Sequence, residues 1–204
     1  MAGVSRATYR HGDLHNALVA AGLELAREGG PGAIVLREAT RQVGVAPNAA
    51  YRHFADRRAL RSAVSAAARV LVAEAMTAEQ QALPPLSDPR ELARARMLAV
   101  GTAYLRFAQA EAGWFRTAFT VPDRVIESPE AGKPSPFLVL VDALDAMVDV
   151  GAMPPERRPG AEIAAWSAVH GLAMLVLEGP LRRLDAEQRR VAARRVLAMV
   201  ERGI

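Results

Sequence analysis

The sequence predicts an all-α protein of about nine helices, and three observations carry that prediction. Alanine and leucine are abundant while aromatic residues make up only 5% of the chain, a bias toward helix and away from sheet. Apolar residues recur at three- and four-residue spacing, with no sign of the alternation of a half-buried strand. Clusters of glycine and proline cut the periodic segments apart.

The elements follow in order. Asp13 is placed to cap a first helix whose apolar face is Leu14, Leu18, Ala21 and Leu25, and Gly29-Gly30-Pro31-Gly32 stops it. A short helix is predicted over Leu36 to Val43, ending at Gly44. A second is predicted from Pro47 to Phe54, with proline at a first helical position. Asp56 caps a long helix carrying Leu60, Val64, Ala67 and Leu71, which ends before Pro84-Pro85. Asp88-Pro89-Arg90-Glu91 opens the next helix, reaching Glu111, and Gly113 separates it from the apolar piece Trp114 to Thr120. Residues 121–136, with four prolines, read as a loop. From Phe137 the stripe Leu140, Leu144 and Met147/Val148 opposes Asp142, Asp145 and Asp149, which read as a solvated face. Ile163 to Leu177 is apolar nearly all round, the mark of a helix buried against several neighbours. Asp185 caps a last helix with Ala192, Val196 and Val200 inward and Arg189, Arg190, Arg194 and Arg195 outward.

Composition narrows the function. The chain has 204 residues, long enough to build a core without staples, and no cysteine. That excludes a disulfide framework, thiol catalysis and cysteine zinc sites. No run of about 18 apolar residues predicts a membrane span, and residues 1–12 lack a signal-peptide core, so a cytoplasmic location is expected. The net charge of +4 is uneven: residues 1–70 hold ten arginines against five carboxylates, whereas residues 71–204 are near neutral at −1. These two stretches are the expected domains, and the basic one is the candidate for a polyanion.

Leu36 to Phe54 is the informative stretch. Two short helices meet at Gly44, which can take the left-handed conformation of a tight interhelical turn. Val43 and Val45 flank the turn as core. Small residues from Ala46 to Ala50 let a backbone press into a major groove about 12 Å wide, and Tyr51, Arg52 and His53 can reach phosphates or base edges. This is the form of a helix-turn-helix. The competing reading is an αα-hairpin that merely packs.

The chain resembles the TetR family of bacterial transcriptional regulators. The likeness is carried by Tyr9-Arg10-His11-Gly12-Asp13-Leu14, Gly44-Val45, Tyr51-Arg52-His53-Phe54 and Asp56-Arg57-Arg58-Ala59-Leu60. It extends to Tyr104-Leu105-Arg106-Phe107-Ala108 with Trp114-Phe115-Arg116, and to Trp166 with His170-Gly171-Leu172, a Trp…His-Gly signature of one subgroup. The resemblance implies a homodimeric repressor with an N-terminal DNA-binding head, residues 1–70, and a C-terminal ligand-binding and dimerisation body, residues 71–204. It implies a double-stranded DNA operator and a small-molecule effector as partners. Tyr51, His53 and Arg57 would contact phosphates; Pro47, Asn48, Ala49 and Arg52 would lie nearest the bases. Arg37 would touch the DNA backbone, and Arg6 and Arg10 would form an arm. Two departures stand out. Thr40 must fit an extra hydroxyl and methyl where the family has alanine between the two motif helices. Ala46 replaces the usual serine N-cap, worth about 1 kcal/mol of local helix stability.

In the body, Trp166 and His170 share a helix face, as a pocket wall or as a packed pair. Tyr104, Phe107, Trp114, Phe115, Phe119 and Phe137, with Met97 and Met147, are candidates for an adaptable apolar ligand pocket. Arg106, Thr102 and His170 are candidate internal polar groups. Val169, Leu172, Leu175 and Val176, with Val196 and Val200, are the candidate dimer seam. No catalytic constellation, metal site or cofactor motif is expected: His11 and His15 are four apart but lack a third ligand, and no phosphate loop, dinucleotide fingerprint or nucleophile elbow is present. The rival readings are a TetR-like activator or ligand-independent regulator and, more remotely, an all-α carrier or enzyme.

Overall fold

The computed structural model describes residues 11–120 and 134–203. Arg6, Arg10 and residues 121–133 of the expected loop lie outside the described residues. The described residues form nine α-helices and no strand: α1 His11–Gly29, α2 Leu36–Val43, α3 Pro47–Ala50, α4 Arg57–Gln81, α5 Pro89–Ala110, α6 Ala112–Thr120, α7 Pro136–Asp149, α8 Ala161–Leu177 and α9 Ala186–Gly203.

Most helix ends follow local chemistry. The Asp56 carboxylate accepts from the Ala59 amide at 2.8 Å and starts α4. Asp88 accepts from the Arg90 amide at 2.9 Å and starts α5. At α9 the capping is reciprocal: Asp185 accepts from the Gln188 amide at 2.8 Å, and the Asp185 amide donates back to Gln188 Oε1 at 3.0 Å, so donors left over in the first turn are satisfied twice. The first helix departs from expectation. It begins at His11, which places Asp13 inside the first turn and not at the cap. The second motif helix is also shorter than expected, ending at Ala50. Residues 51–53 continue as turn, because the chain must bring Phe54 into the core and then extend through Asp56, at φ −156° and ψ −178°, before α4 can begin.

Two hydrophobic clusters organise the molecule. The first packs Leu14, Leu18, Ile34, Leu36, Ala39, Ala50, Phe54, Leu60 and Val64 between α1, α2, α3 and the start of α4. The second runs from Ala68, Val72 and Met76 of the same α4 through α5–α9. Helix α4 therefore belongs to both, and the truncation of any of these fully buried large side chains would cost about 2–5 kcal/mol.

Helix α8 corrects the expected dimer seam. Val169, Leu172 and Val176 are 8%, 7% and 6% exposed, and Val200 of α9 is 6% exposed, all packed within their own chain. Val196 is half-buried against the same core. Leu175 alone of the named residues faces outward, at 43% exposed. The helix is apolar on every side, so periodicity could not tell its inward face from its outward one.

Candidate functional site

The N-terminal motif keeps its expected glycine turn, with a shortened second helix. Gly44 closes α2 at φ 75°, ψ 30°, a left-handed conformation that a side chain would strain. Thr40 is buried, and its hydroxyl donates to the Arg37 carbonyl at 2.8 Å. The extra hydroxyl is thus satisfied within α2, and the two motif helices still meet. Ala46 opens α3 with no side-chain cap, as expected, and Pro47 occupies the first turn. Pro47, Asn48, Tyr51 and Arg52 are exposed, with Tyr51 at 56%, and Arg37 is exposed on α2. Ala49 and His53 are half-buried. The His53 ring lies 6.4 Å from that of His15, which in turn stacks on Phe54 at 4.7 Å, so α1 braces the end of the motif.

Arg57 has a task that sequence reasoning missed. Its Nε donates to the Ile34 carbonyl at 2.8 Å and its Nη2 to the Gly32 carbonyl at 2.6 Å. The guanidinium clamps the loop that leads into α2 and so fixes the motif from below. Nothing in the spacing of Arg57 and Gly32 signals that contact.

A seam joins the two clusters at α6. Gly113 lies so close to the end of α1 that a Cβ would fall 2.0 Å from the Arg27 carbonyl and 2.3 Å from that of Ala26. The next residue, Trp114, packs on the N-terminal cluster and donates Nε1 to the Leu23 carbonyl at 2.8 Å. Arg27 lies over its ring at 4.7 Å and grips Glu111 through two bonds of 3.0 and 2.9 Å. At the other end of α6 the Ala118 carbonyl accepts from Ser65 Oγ at 3.2 Å and Arg69 Nη1 at 3.1 Å, both on α4. Trp114 is therefore a seam residue and not a pocket residue: its indole points back to α1.

The pocket lies deeper in the second cluster. A cavity of about 30 Å³ sits between α4, α5, α7, α8 and α9. Four of the expected residues line it: Met97, Tyr104, Trp166 and His170. Phe119 and the fully buried Phe115 stand behind Tyr104, at ring distances of 5.7 and 5.1 Å, and Phe137 stands behind Trp166 at 5.8 Å. Phe107 and Met147 pack in the surrounding core and do not reach the cavity. Two expected seam residues, Val169 and Val200, are wall residues instead, and Met76, Val100, Leu140 and Leu197 complete the aliphatic lining. The expected internal polar groups Thr102 and Arg106 are exposed: Thr102 donates to the Leu98 carbonyl at 2.8 Å, and Arg106 pairs with Glu79.

Tyr104 Oη and His170 Nδ1 are 2.8 Å apart. Burial pushes the Tyr104 phenol well above its ordinary range and lowers the His170 imidazole below 6.5, so both are neutral near pH 7. No charged side chain among the described residues lines the cavity. Among the described residues, no three His, Asp or Glu side chains are placed to hold a metal ion, and no helix is long and apolar enough to cross a membrane.

Comparison with known proteins agrees with this architecture. A family model described as the tetracyclin repressor-like C-terminal domain matches residues 97–200, about half of the chain. No curated protein matches the sequence. Among solved structures, a protein of unknown function from Rhodococcus sp. RHA1 superposes with a TM-score of 0.67 at 22% identity, covering 98% of this chain and 99% of that one. A TetR-family regulatory protein from Rhodococcus RHA1 gives 0.60 at 22% identity, with 94% and 96% covered. RolR in complex with the ligand resorcinol gives 0.60 at 16% identity, with 91% and 86% covered. At these identities the structures establish a shared fold, and the family model extends it to descent: the chain belongs to the TetR family of transcriptional regulators.

Proposed function

We propose that the protein is a homodimeric repressor that binds a palindromic operator and is released by a small, mostly apolar ligand held in the body, residues 71–204. The observation that supports it best is the exposure of Pro47, Asn48, Tyr51 and Arg52 following a left-handed Gly44, on a motif whose other side, through Ala50, is a closed core. In this reading Tyr51, His53 and the remaining nitrogen of Arg57 meet phosphates, Arg37 touches the backbone, and Asn48, Ala49 and Arg52 approach base edges. Arg10 extends the contact as an arm. The protein works in the bacterial cytoplasm and catalyses no reaction.

Dimerisation is assigned to the outward face of α8 and α9. Ile163 and Leu175 are 50% and 43% exposed, Met199 is 54% exposed, and a Cβ on Gly171 would meet open space. Small residues between exposed apolar ones allow two helices to approach closely, in an isologous four-helix contact. The ligand reading rests on the aromatic cavity, and the resorcinol complex of RolR shows that this fold can hold a small aromatic molecule.

Gel shift and footprinting with DNA flanking the gene test the proposal. The expected result is a protected palindrome with half-sites roughly 34–36 Å apart or a multiple of it. Arg57→Ala is expected to weaken binding to all sequences and to flatten the salt slope by about one unit, whereas Arg52→Ala is expected to change the preferred base. A melting curve checks that Arg57→Ala still folds, since its clamp on Gly32 and Ile34 is lost. Leu175→Glu should yield monomers in sedimentation. No DNA bound, or dimers that persist with Glu at 175, would overturn the corresponding part.

A further inference from the structure

The wall of the body cavity is unusual in how its polar atoms are arranged. Aliphatic side chains from five helices surround it, and among the described residues the side-chain polar atoms come only from Tyr104, Trp166 and His170. The Tyr104–His170 hydrogen bond uses one donor and one acceptor. If Tyr104 donates to Nδ1, the imidazole proton is on Nε2, and the pair keeps that N–H and a phenol lone pair. If Nδ1 donates, the pair keeps the phenol O–H and the Nε2 lone pair. Either tautomer therefore offers a visitor one donor and one acceptor. A hydroxyl group, donor and acceptor in one, answers either end of the pair in either tautomer. A ketone or ether answers only the donor, a hydrocarbon answers neither, and a carboxylate brings a charge with no counter-charge in the wall.

Size sets the second constraint. The cavity of about 30 Å³ has room for water-sized occupants, whereas one benzene ring needs roughly 150 Å³. Met76 and Met97 line it, and unbranched thioether side chains move aside more readily than branched ones. Two such side chains can make room for one ring, stacked near Trp166.

We propose that this cavity takes an uncharged, single-ring compound bearing a hydroxyl group, which hydrogen-bonds to the Tyr104–His170 pair and packs against Trp166. This rests on reading the cavity as the effector site. Burial supports it by keeping both members of the pair neutral.

Calorimetric titration of the full chain with phenol, toluene and benzoate is the test. Phenol is expected to bind saturably and about tenfold or more tighter than toluene, the worth of a satisfied hydrogen-bond pair, with benzoate weakest. His170→Phe keeps the ring volume and should bring phenol and toluene level; Tyr104→Phe, which removes only the hydroxyl, should give the same loss of preference. Benzoate binding as tightly as phenol, toluene equal to phenol in the unmodified chain, no uptake of phenol, or a preference that survives both variants would overturn the inference. Operator binding measured on the same preparations keeps the two readings apart. Phenol uptake by a chain that binds no DNA defeats the proposed function alone, and DNA binding without phenol uptake defeats this inference alone.

Discussion

The two hydrophobic clusters are built from different materials, and the difference bears on what each can do. Around α1–α3 the core is aliphatic apart from Phe54, and Leu18, Ile34 and Leu60 are completely buried. Branched side chains locked in close contact give a surface that holds one shape. Around α5–α9 the core is again largely aliphatic, but it holds a cluster of aromatic rings, Tyr104, Phe115, Phe119, Phe137 and Trp166, meeting edge to face or tilted, beside a void edged by two methionines. Such a core can rearrange at lower cost. A fixed surface suits a motif that must match a groove, and an adjustable interior suits a site that must report occupancy. Helix α6 touches both, with Trp114 on one cluster and the neighbouring Phe115 in the other.

The largest expected effect contrasts the two cores directly. Leu18→Ala and Phe115→Ala each remove a completely buried side chain and are expected to cost about 3–5 kcal/mol in urea melts. They should differ in rescue. A vacated Phe115 site adjoins the aromatic cluster, so saturating toluene should restore part of the lost stability there, as a ligand bound only to the folded state does. Toluene is expected to do nothing for Leu18→Ala. Equal rescue of both, or of neither, would show that the two cores do not differ in this way.

The contrast also explains what was legible in the sequence. The motif could be read residue by residue because its signals are local: Gly44 needs its left-handed turn, Asp56 its cap, and Tyr51 and Arg52 follow a small-residue helix and are exposed. The helices of the body could be read too. Their faces could not. Helix α8 is apolar all round, and only tertiary packing decides that Val169 lines a cavity while Leu175 meets solvent. Trp114 was misplaced for a similar reason. Its type suggests a pocket, but its direction is set by Gly113, whose close approach to the Arg27 carbonyl brings α6 against α1. The resemblance gives Arg57 a phosphate contact, but its clamp on backbone carbonyls 23 and 25 residues away leaves no spacing signal.

A smaller effect sharpens the account of the aromatic interior. Burial lowers the His170 pKa below 6.5 in the folded chain. As pH falls, the unfolded chain therefore takes up a proton at this position first. The stability tied to the neutral imidazole is complete above about 6.5 and is lost as pH drops toward the folded value. Urea melts between about pH 5 and 8 should show the advantage of the unmodified chain over His170→Gln growing with pH and levelling off near neutrality. A difference that stays flat over this range would place the imidazole in a solvated site.

The smallest effect is expected at the seam, and it separates geometry from charge. Arg27 holds Glu111 with two hydrogen bonds, but their side chains are 51% and 23% exposed. An ion pair so open to water contributes little to stability, and salt screens it further. The same guanidinium lies over the Trp114 ring, a contact in which the arginine stem and plane can exclude water from the indole. Arg27→Lys keeps the charge and loses the fork and the plane; Arg27→Ala loses all three. If the ion pair dominates, Arg27→Lys should melt close to the unmodified chain, and added salt should erase the penalty of Arg27→Ala. If packing on Trp114 dominates, lysine should behave as alanine does, and the penalty should persist in salt. The parallel, two-bond grip on Glu111 and the ring contact both need a planar group, so the second outcome is expected. Thermal melts of the three proteins at low and high ionic strength decide it, because only a contact held by shape survives screening.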